Sequence, residues 1–168
     1  MALQDLTAEA RLTALADRAE IVTLLDRYAR ALDDRGFDLP ALAALFTPDA
    51  TVGRPADRDE HTGLTDISQF LTETMATFGT TQHIYANHLI SVDGDKASFR
   101  LNSNGTFVLL DTEQVYVAGS VITGTAVRTP YGWRLKSLTL TPAWDTLAMS
   151  PSEEPDVEEE GEGEDDDG

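Results

Sequence analysis

Between Asp17 and Arg35 the apolar residues Ile21, Leu24, Leu25, Tyr28 and Leu32 recur at three- and four-residue intervals. That is the spacing of one buried helical face, and Gly36 supplies a stop. A short helix is predicted from Leu39 to Phe46, with Asp38 as N-cap and Pro40 in its first turn. Thr47-Pro48-Asp49 breaks it, a strand can begin between Ala50 and Gly53, and RPADRDEHTG, residues 54–63, reads as a polar loop. Thr65 is placed to cap a third helix, whose Ile67, Phe70, Leu71, Met75 and Phe78 mark one face, with Gly79 at its end.

Beyond Gly79 the period shortens from helical to alternating. His83 to Val92 reads as a strand, Asp93-Gly94-Asp95 as a tight turn, and Lys96 to Leu101 as the returning strand. Val108 to Leu110, Val115 to Arg128 and Trp133 to Leu140 are further strands, the last two joined by a turn over residues 129–132. Helices first and a meandering antiparallel sheet second is an α+β order, with the helices packed on one sheet face.

Composition divides the 168 residues in two. The final stretch, PSEEPDVEEEGEGEDDDG (151–168), carries eleven of the thirty acids and no base, so it accounts for −11 of the formal net charge of −18. Residues 1–150 hold nineteen acids and twelve bases, a net of −7, and form the expected folded domain. The tail has too little apolar surface to offset chain entropy, and disorder is expected of it. No basic stripe exists to meet phosphates, so nucleic acid is not an expected partner. The chain has no cysteine, no apolar run of membrane-spanning length, and charges where a signal peptide would be apolar, so a cytoplasmic protein without membrane contact is expected.

Candidate chemistry is confined to few residues. Asp33 and Asp34 sit in the last helical turn, where the partial negative charge of unpaired carbonyls makes a carboxylate unfavourable by roughly 0.3–1 kcal/mol. Relative to Tyr28 at the centre of the buried stripe, Asp33 can reach inward, whereas Asp34 turns toward solvent and toward Arg30 or Arg35. Of the three histidines, His61 falls in the polar loop, and strand alternation separates the other two. His83, Tyr85 and Asn87 share a face that mixes polar and aromatic groups, as ligand pockets do; His88 falls on the apolar face unless a bulge intervenes. Tyr28, Tyr116, Trp133 and Trp144 are possible pocket walls. Three histidines, one in a loop and two on opposite faces of one strand, do not make a zinc site, and no nucleophile elbow, P-loop or dinucleotide glycine motif is present, which leaves acid–base chemistry without a metal or cofactor.

The segment DRAEIVTLLDRYARALDDRGFDLPALAALFTPDATV resembles the start of a SnoaL-like domain of the nuclear transport factor 2-like superfamily. A long helix ends in an Asp-bearing turn, and a short helix runs into Leu-Phe-x-x-Asp-Ala. TTQHIYANHLISVDGDKASF resembles the histidine-bearing strand of that family, with Asn four residues on and an Asp-Gly-Asp turn. The resemblance covers about residues 10–147. It implies a cone in which a bent antiparallel sheet wraps round N-terminal helices, enclosing a pocket, often as a homodimer. Relatives include scytalone dehydratase, ketosteroid isomerase, polyketide cyclases and hexachlorocyclohexane dehydrochlorinase. It further implies that Asp33 orients His83 as a base and that Asn87 contacts a substrate oxygen. Arg128 would match an arginine of the dehydrochlorinase. Leu32 stands where scytalone dehydratase has a tyrosine. The expected activity is a lyase or isomerase acting on a small hydrophobic, oxygenated substrate. The alternative is a non-catalytic binding or interaction module, in which the pocket would be filled or the two residues far apart.

Overall fold

A computed structural model describes residues 7–54 and 59–146; the acidic stretch 151–168, with its expected disorder, lies outside the described residues. The first helix, α1 (Ala8–Asp34), starts nine residues before Asp17, where the sequence pattern begins, behind an N-cap at Thr7 whose hydroxyl accepts from the Ala10 amide at 3.2 Å. The added turns are rich in Ala, Leu, Arg and Glu, strong helix formers that need no buried face. The stripe from Ile21 to Leu32 is buried as its spacing predicts. At the other end Arg35, not Gly36, adopts the left-handed conformation (φ 57°, ψ 35°). α2 (Leu39–Ala43) is capped by Asp38, whose carboxylate accepts from the Ala41 amide at 2.8 Å.

β1 (Phe46–Arg54) begins earlier than expected and pairs with β2 (Asp59–Thr62), four polar residues inside the stretch expected to be loop. α3 (Leu64–Met75) starts one residue before Thr65. Its N-cap is Gly63 at φ 84°, with no side-chain cap, and Phe78 belongs to the following strand rather than to the helix. Then come β3 (Phe78–Asp93), β4 (Lys96–Leu109), β5 (Val115–Thr129) and β6 (Gly132–Asp145). The segment Val108 to Leu110 is no separate strand; it continues β4 toward the loop before β5.

The six strands form one sheet in the order β2-β1-β6-β5-β4-β3. Every neighbouring pair is antiparallel except β1 with β6, so the expected antiparallel sheet is in fact mixed. β1 enters from the helical layer rather than from a hairpin with β6, and nothing obliges it to oppose that strand. Register shifts in β3, β5 and β6 bend the sheet round the helices. Phe46, Ile21, Leu25, Leu42, Ile67, Leu101, Ile122, Leu135 and Leu138 are fully buried between the helices and the concave face. Each such side chain contributes roughly 1.5–3 kcal/mol by leaving water. No helix among the described residues is long and apolar enough to cross a membrane.

Candidate active site

The concave face is not filled along its whole length. Toward the C-terminal end of α1 it leaves a cavity of about 430 Å³. Tyr28 and Leu32 of α1, Phe70 and Met75 of α3, and Leu138 and Leu140 of β6 supply much of its apolar wall. Phe78, Phe107 and Tyr116 add an aromatic flank, with Phe78 and Phe107 centroids 4.7 Å apart and Phe107 and Tyr116 5.4 Å apart. Its polar groups are few: His83, Arg54, Ser120, Asp145, the Tyr28 and Tyr116 hydroxyls, and two threonines of the α3 end. A largely apolar hollow with a few convergent polar groups is the form small-molecule sites take.

At its edge the end of α1 meets the start of β3. Asp33 Oδ1 lies 2.7 Å from His83 Nδ1. The backbone amide of His83 donates to Asp33 Oδ2 at 3.0 Å, and the Thr81 hydroxyl donates to Oδ1 at 3.0 Å. Arg35 in turn donates to the Thr81 hydroxyl at 3.0 Å and to the Phe78 and Gly79 carbonyls at 3.1 and 2.7 Å. It also reaches back to the Leu32 carbonyl. That set of acceptors is why Arg35 takes the strained cap position: its guanidinium covers an exposed helix carbonyl and ties the helix to the strand. Three donors converge on the Asp33 carboxylate, which answers the unfavourable carbonyls of its own helix end.

A carboxylate can only accept, so Nδ1 of neutral His83 carries the proton and Nε2 keeps its lone pair. Nε2 makes no hydrogen bond with any described residue, although the His83 side chain is only 8% exposed and borders the cavity. The ring is held edge-to-face against Phe107, with centroids 5.2 Å apart and planes at 88°. Gly105 pairs with His83 across β3 and β4, and its lack of a side chain makes this fit possible. A Cβ there would stand 2.6 Å from the Phe107 ring and 3.5 Å from His83 Cδ2. The arrangement can accept a proton at Nε2 and spread the resulting charge onto Asp33.

The remaining expected contacts divide. Tyr28, Tyr116 and Trp144 line the cavity with His83, and Trp144 lies over Gly119 at its rim, 46% exposed. Burial pushes the Tyr28 hydroxyl well above its ordinary pKa, so it stays a neutral donor. Tyr85 does not line the cavity; it sits behind Tyr28, ring centroids 6.4 Å apart, and burial, helped by Tyr28 and Asp33, raises its hydroxyl too. Asn87 stands outside. It occupies a bulge between Ala86 and Leu89 with φ 56° and is exposed. The bulge also resets the alternation, so His88 faces α1 after all, where its Nε2 comes only to 4.0 Å from Asp26. Arg128 is at the far end of α1, bound to Asp17 at 2.7 Å and Asp95 at 3.0 Å, with its guanidinium over Trp133. His61 forms another pair, 3.0 Å from Asp66, stacked on Phe70, and is not a cavity residue. Among the described residues no group of three or more such side chains is placed to hold a metal ion.

Sequence reasoning passed over Thr81, Gly105 and Arg54, and offered Arg35 only as a partner for Asp34, which pairs instead with Arg30 at 2.9 Å. An arginine directly after two helix-end aspartates, and a glycine opposite the histidine in a register counted from the Asp-Gly-Asp turn, are signals that were there to read.

Residues 13–139 match the family described as the SnoaL-like domain. An uncharacterized protein of Mycobacterium tuberculosis is 36% identical over 122 residues, 72% of this chain and 82% of that protein. The Kfla4162 protein of Kribbella flavida superposes with a TM-score of 0.73 at 27% identity, covering 82% of this chain and 99% of that one. A Novosphingobium aromaticivorans protein provisionally described as a scytalone dehydratase gives a TM-score of 0.71 at 22% identity, covering 79% and 88%. At that identity the likeness is one of fold, and the fold is nuclear transport factor 2-like.

Proposed function

The chain belongs to the SnoaL-like domain family, and from that premise we propose that it is an acid–base enzyme needing no cofactor, acting on a small hydrophobic, oxygenated molecule. His83 Nε2 removes a proton from a carbon beside a carbonyl or leaving group, and Asp33 holds the imidazole in one tautomer and stabilises the imidazolium. The electron pair left on carbon moves to the carbonyl oxygen as an enolate or expels the leaving group. Dehydration, double-bond isomerisation and aldol cyclisation share this first step. The family and its structural neighbours include such lyases and isomerases.

The observation that carries the reading is the 2.7 Å Asp33–His83 contact with the opposite ring nitrogen on an unfilled apolar cavity. His88 also has an Nε2 without a hydrogen bond, but only His83 pairs a carboxylate on one nitrogen with a place on the cavity wall, and a binding or interaction module would not need a base held in one tautomer. In this reading the hydroxyls of Tyr28 and Tyr116, two residues of the cavity wall, serve as neutral donors to a substrate oxygen. The test is hydrogen–deuterium exchange at the acidic carbon of 2-tetralone in D₂O, followed by NMR. The protein is expected to accelerate it, and His83→Ala to lose about 10²–10⁴-fold of that acceleration without losing the fold. Equal exchange in the two proteins would defeat the proposal.

A further inference from the structure

Arg54 closes β1 on the cavity wall, together with Tyr28, His83 and Tyr116. It makes no hydrogen bond or ion pair with any described residue; even Asp145, on the same wall, forms no ion pair with it. Its guanidinium lies over the Phe70 ring, 5.9 Å from the centroid, a contact that fixes direction without using the planar donor fork. The other arginine beside the site, Arg35, is spent on backbone carbonyls and Thr81. In a chain of net charge −18, a cation whose donors meet no acceptor among the described residues, on the wall of a largely apolar hollow, stands out chemically. Its field also acts on the Tyr28 and Tyr116 hydroxyls, lowering both against the upward push of burial.

We propose that Arg54 is an oxyanion subsite, and that the cavity takes an apolar, ring-sized molecule bearing a carboxylate or an enolisable oxygen that seats on the Arg54 guanidinium. The orientation of that molecule rests on the reading of His83 as the base: the oxygen lies at Arg54 and the acidic carbon at Nε2. When the C–H bond breaks, the proton goes to Nε2, its electron pair becomes the new C=C bond, and the carbonyl pair moves to the oxygen as negative charge facing Arg54. Donors aimed where charge develops act most strongly in a site that excludes water. The same guanidinium serves a ground-state carboxylate by a two-pronged contact.

Binding rather than turnover tests this, using 2-naphthoate and its neutral isostere 2-naphthamide with the full chain in calorimetry. The wild type is expected to prefer the acid by roughly 10- to 100-fold, the range a charge-assisted hydrogen bond supplies. Arg54→Met should bring the preference near parity with amide affinity kept, and Arg54→Lys should restore part of it. Acid and amide bound alike by the wild type, a preference surviving in Arg54→Met, or no binding of naphthoate would each overturn the subsite. His83→Ala is expected to keep the preference. Tetralone exchange without acid preference would therefore sink Arg54 and leave the base, and the converse result would sink the base and leave Arg54.

Discussion

Helix α1 carries two inward carboxylates, one near each end of its buried stripe, and they meet the sheet in opposite ways. Asp17, 5% exposed, is closed off: Arg128 takes one oxygen at 2.7 Å and the Trp133 indole N–H donates to the other at 3.2 Å. Every partner there is permanently a donor, and no atom of the group is left for a ligand. Asp33, sixteen residues on and roughly 24 Å along the helix, holds instead an imidazole whose far side borders a cavity. A carboxylate bound to a fixed cation fastens a structure. Bound to a group that can gain a proton, with space beyond it, a carboxylate can serve chemistry. The difference lies in the partner and in what lies behind it, since both acids are on one helix and both are bound to strands.

The sharpest way to break this contrast is to neutralise each acid in turn. Asp33→Asn should lower tetralone exchange by about 10²-fold, since an amide can present an N–H to Nδ1 and favour the wrong tautomer, with only a small change in melting temperature. If exchange survives while stability falls, the two acids are both fasteners. Asp17→Asn should do the reverse: exchange unchanged and stability lower by about 2 kcal/mol in denaturant titration, less than a fully buried pair because Arg128 is one-third exposed.

The same variant carries a pH signature. The hydrogen bond from Arg128 holds the Asp17 carboxyl below its ordinary value of 3.8, against the upward effect of burial. A carboxyl lowered on folding contributes stability that is whole above pH 3.8 and is lost as pH falls through the folded value. Melting temperature should therefore drop below that pH in the wild type, and this component of the drop should be missing in Asp17→Asn. The smallest effect is expected at Gly105→Ala, where the new methyl must displace the Phe107 ring: about 1 kcal/mol of stability, with exchange reduced as the His83 ring shifts. An unaltered rate would show that the ring's seat does not matter.

The two acids also differ in how readily the sequence discloses them. Asp33 and His83 are visible because helical spacing and strand alternation each hold up to the point where they meet. Asn87 is misplaced by the same logic, since it takes the strand as regular, and Arg128 is misplaced by the resemblance to the dehydrochlorinase that suggested it. The bulge depends on a left-handed residue, to which asparagine is suited, but nothing local demands it at Asn87 rather than at a neighbour. Arg128 goes to Asp17, a partner 111 positions away, and no short pattern encodes that. β2 is hidden because Asp59 to Thr62 are all polar and pair only with the edge of β1. The parallel seam between β1 and β6 is likewise a matter of long-range assembly. Gly36 stops the helix in the sequence pattern; in the fold the guanidinium of Arg35 outweighs the conformational ease of glycine one residue later.

The extra residue at Asn87 has a bearing on how this strand tolerates change. On its His83 side and its Ile90 side, β3 points two sets of side chains at the helices half a period out of step. Removing one residue at the bulge would turn one of the two halves inside out, while substitutions confined to either half leave the other's facing untouched. The strand is thus two facings spliced at an asparagine: the first borders the cavity and is tied to the end of α1 through Thr81 and His83, and the second packs Ile90 and Val92 against the core.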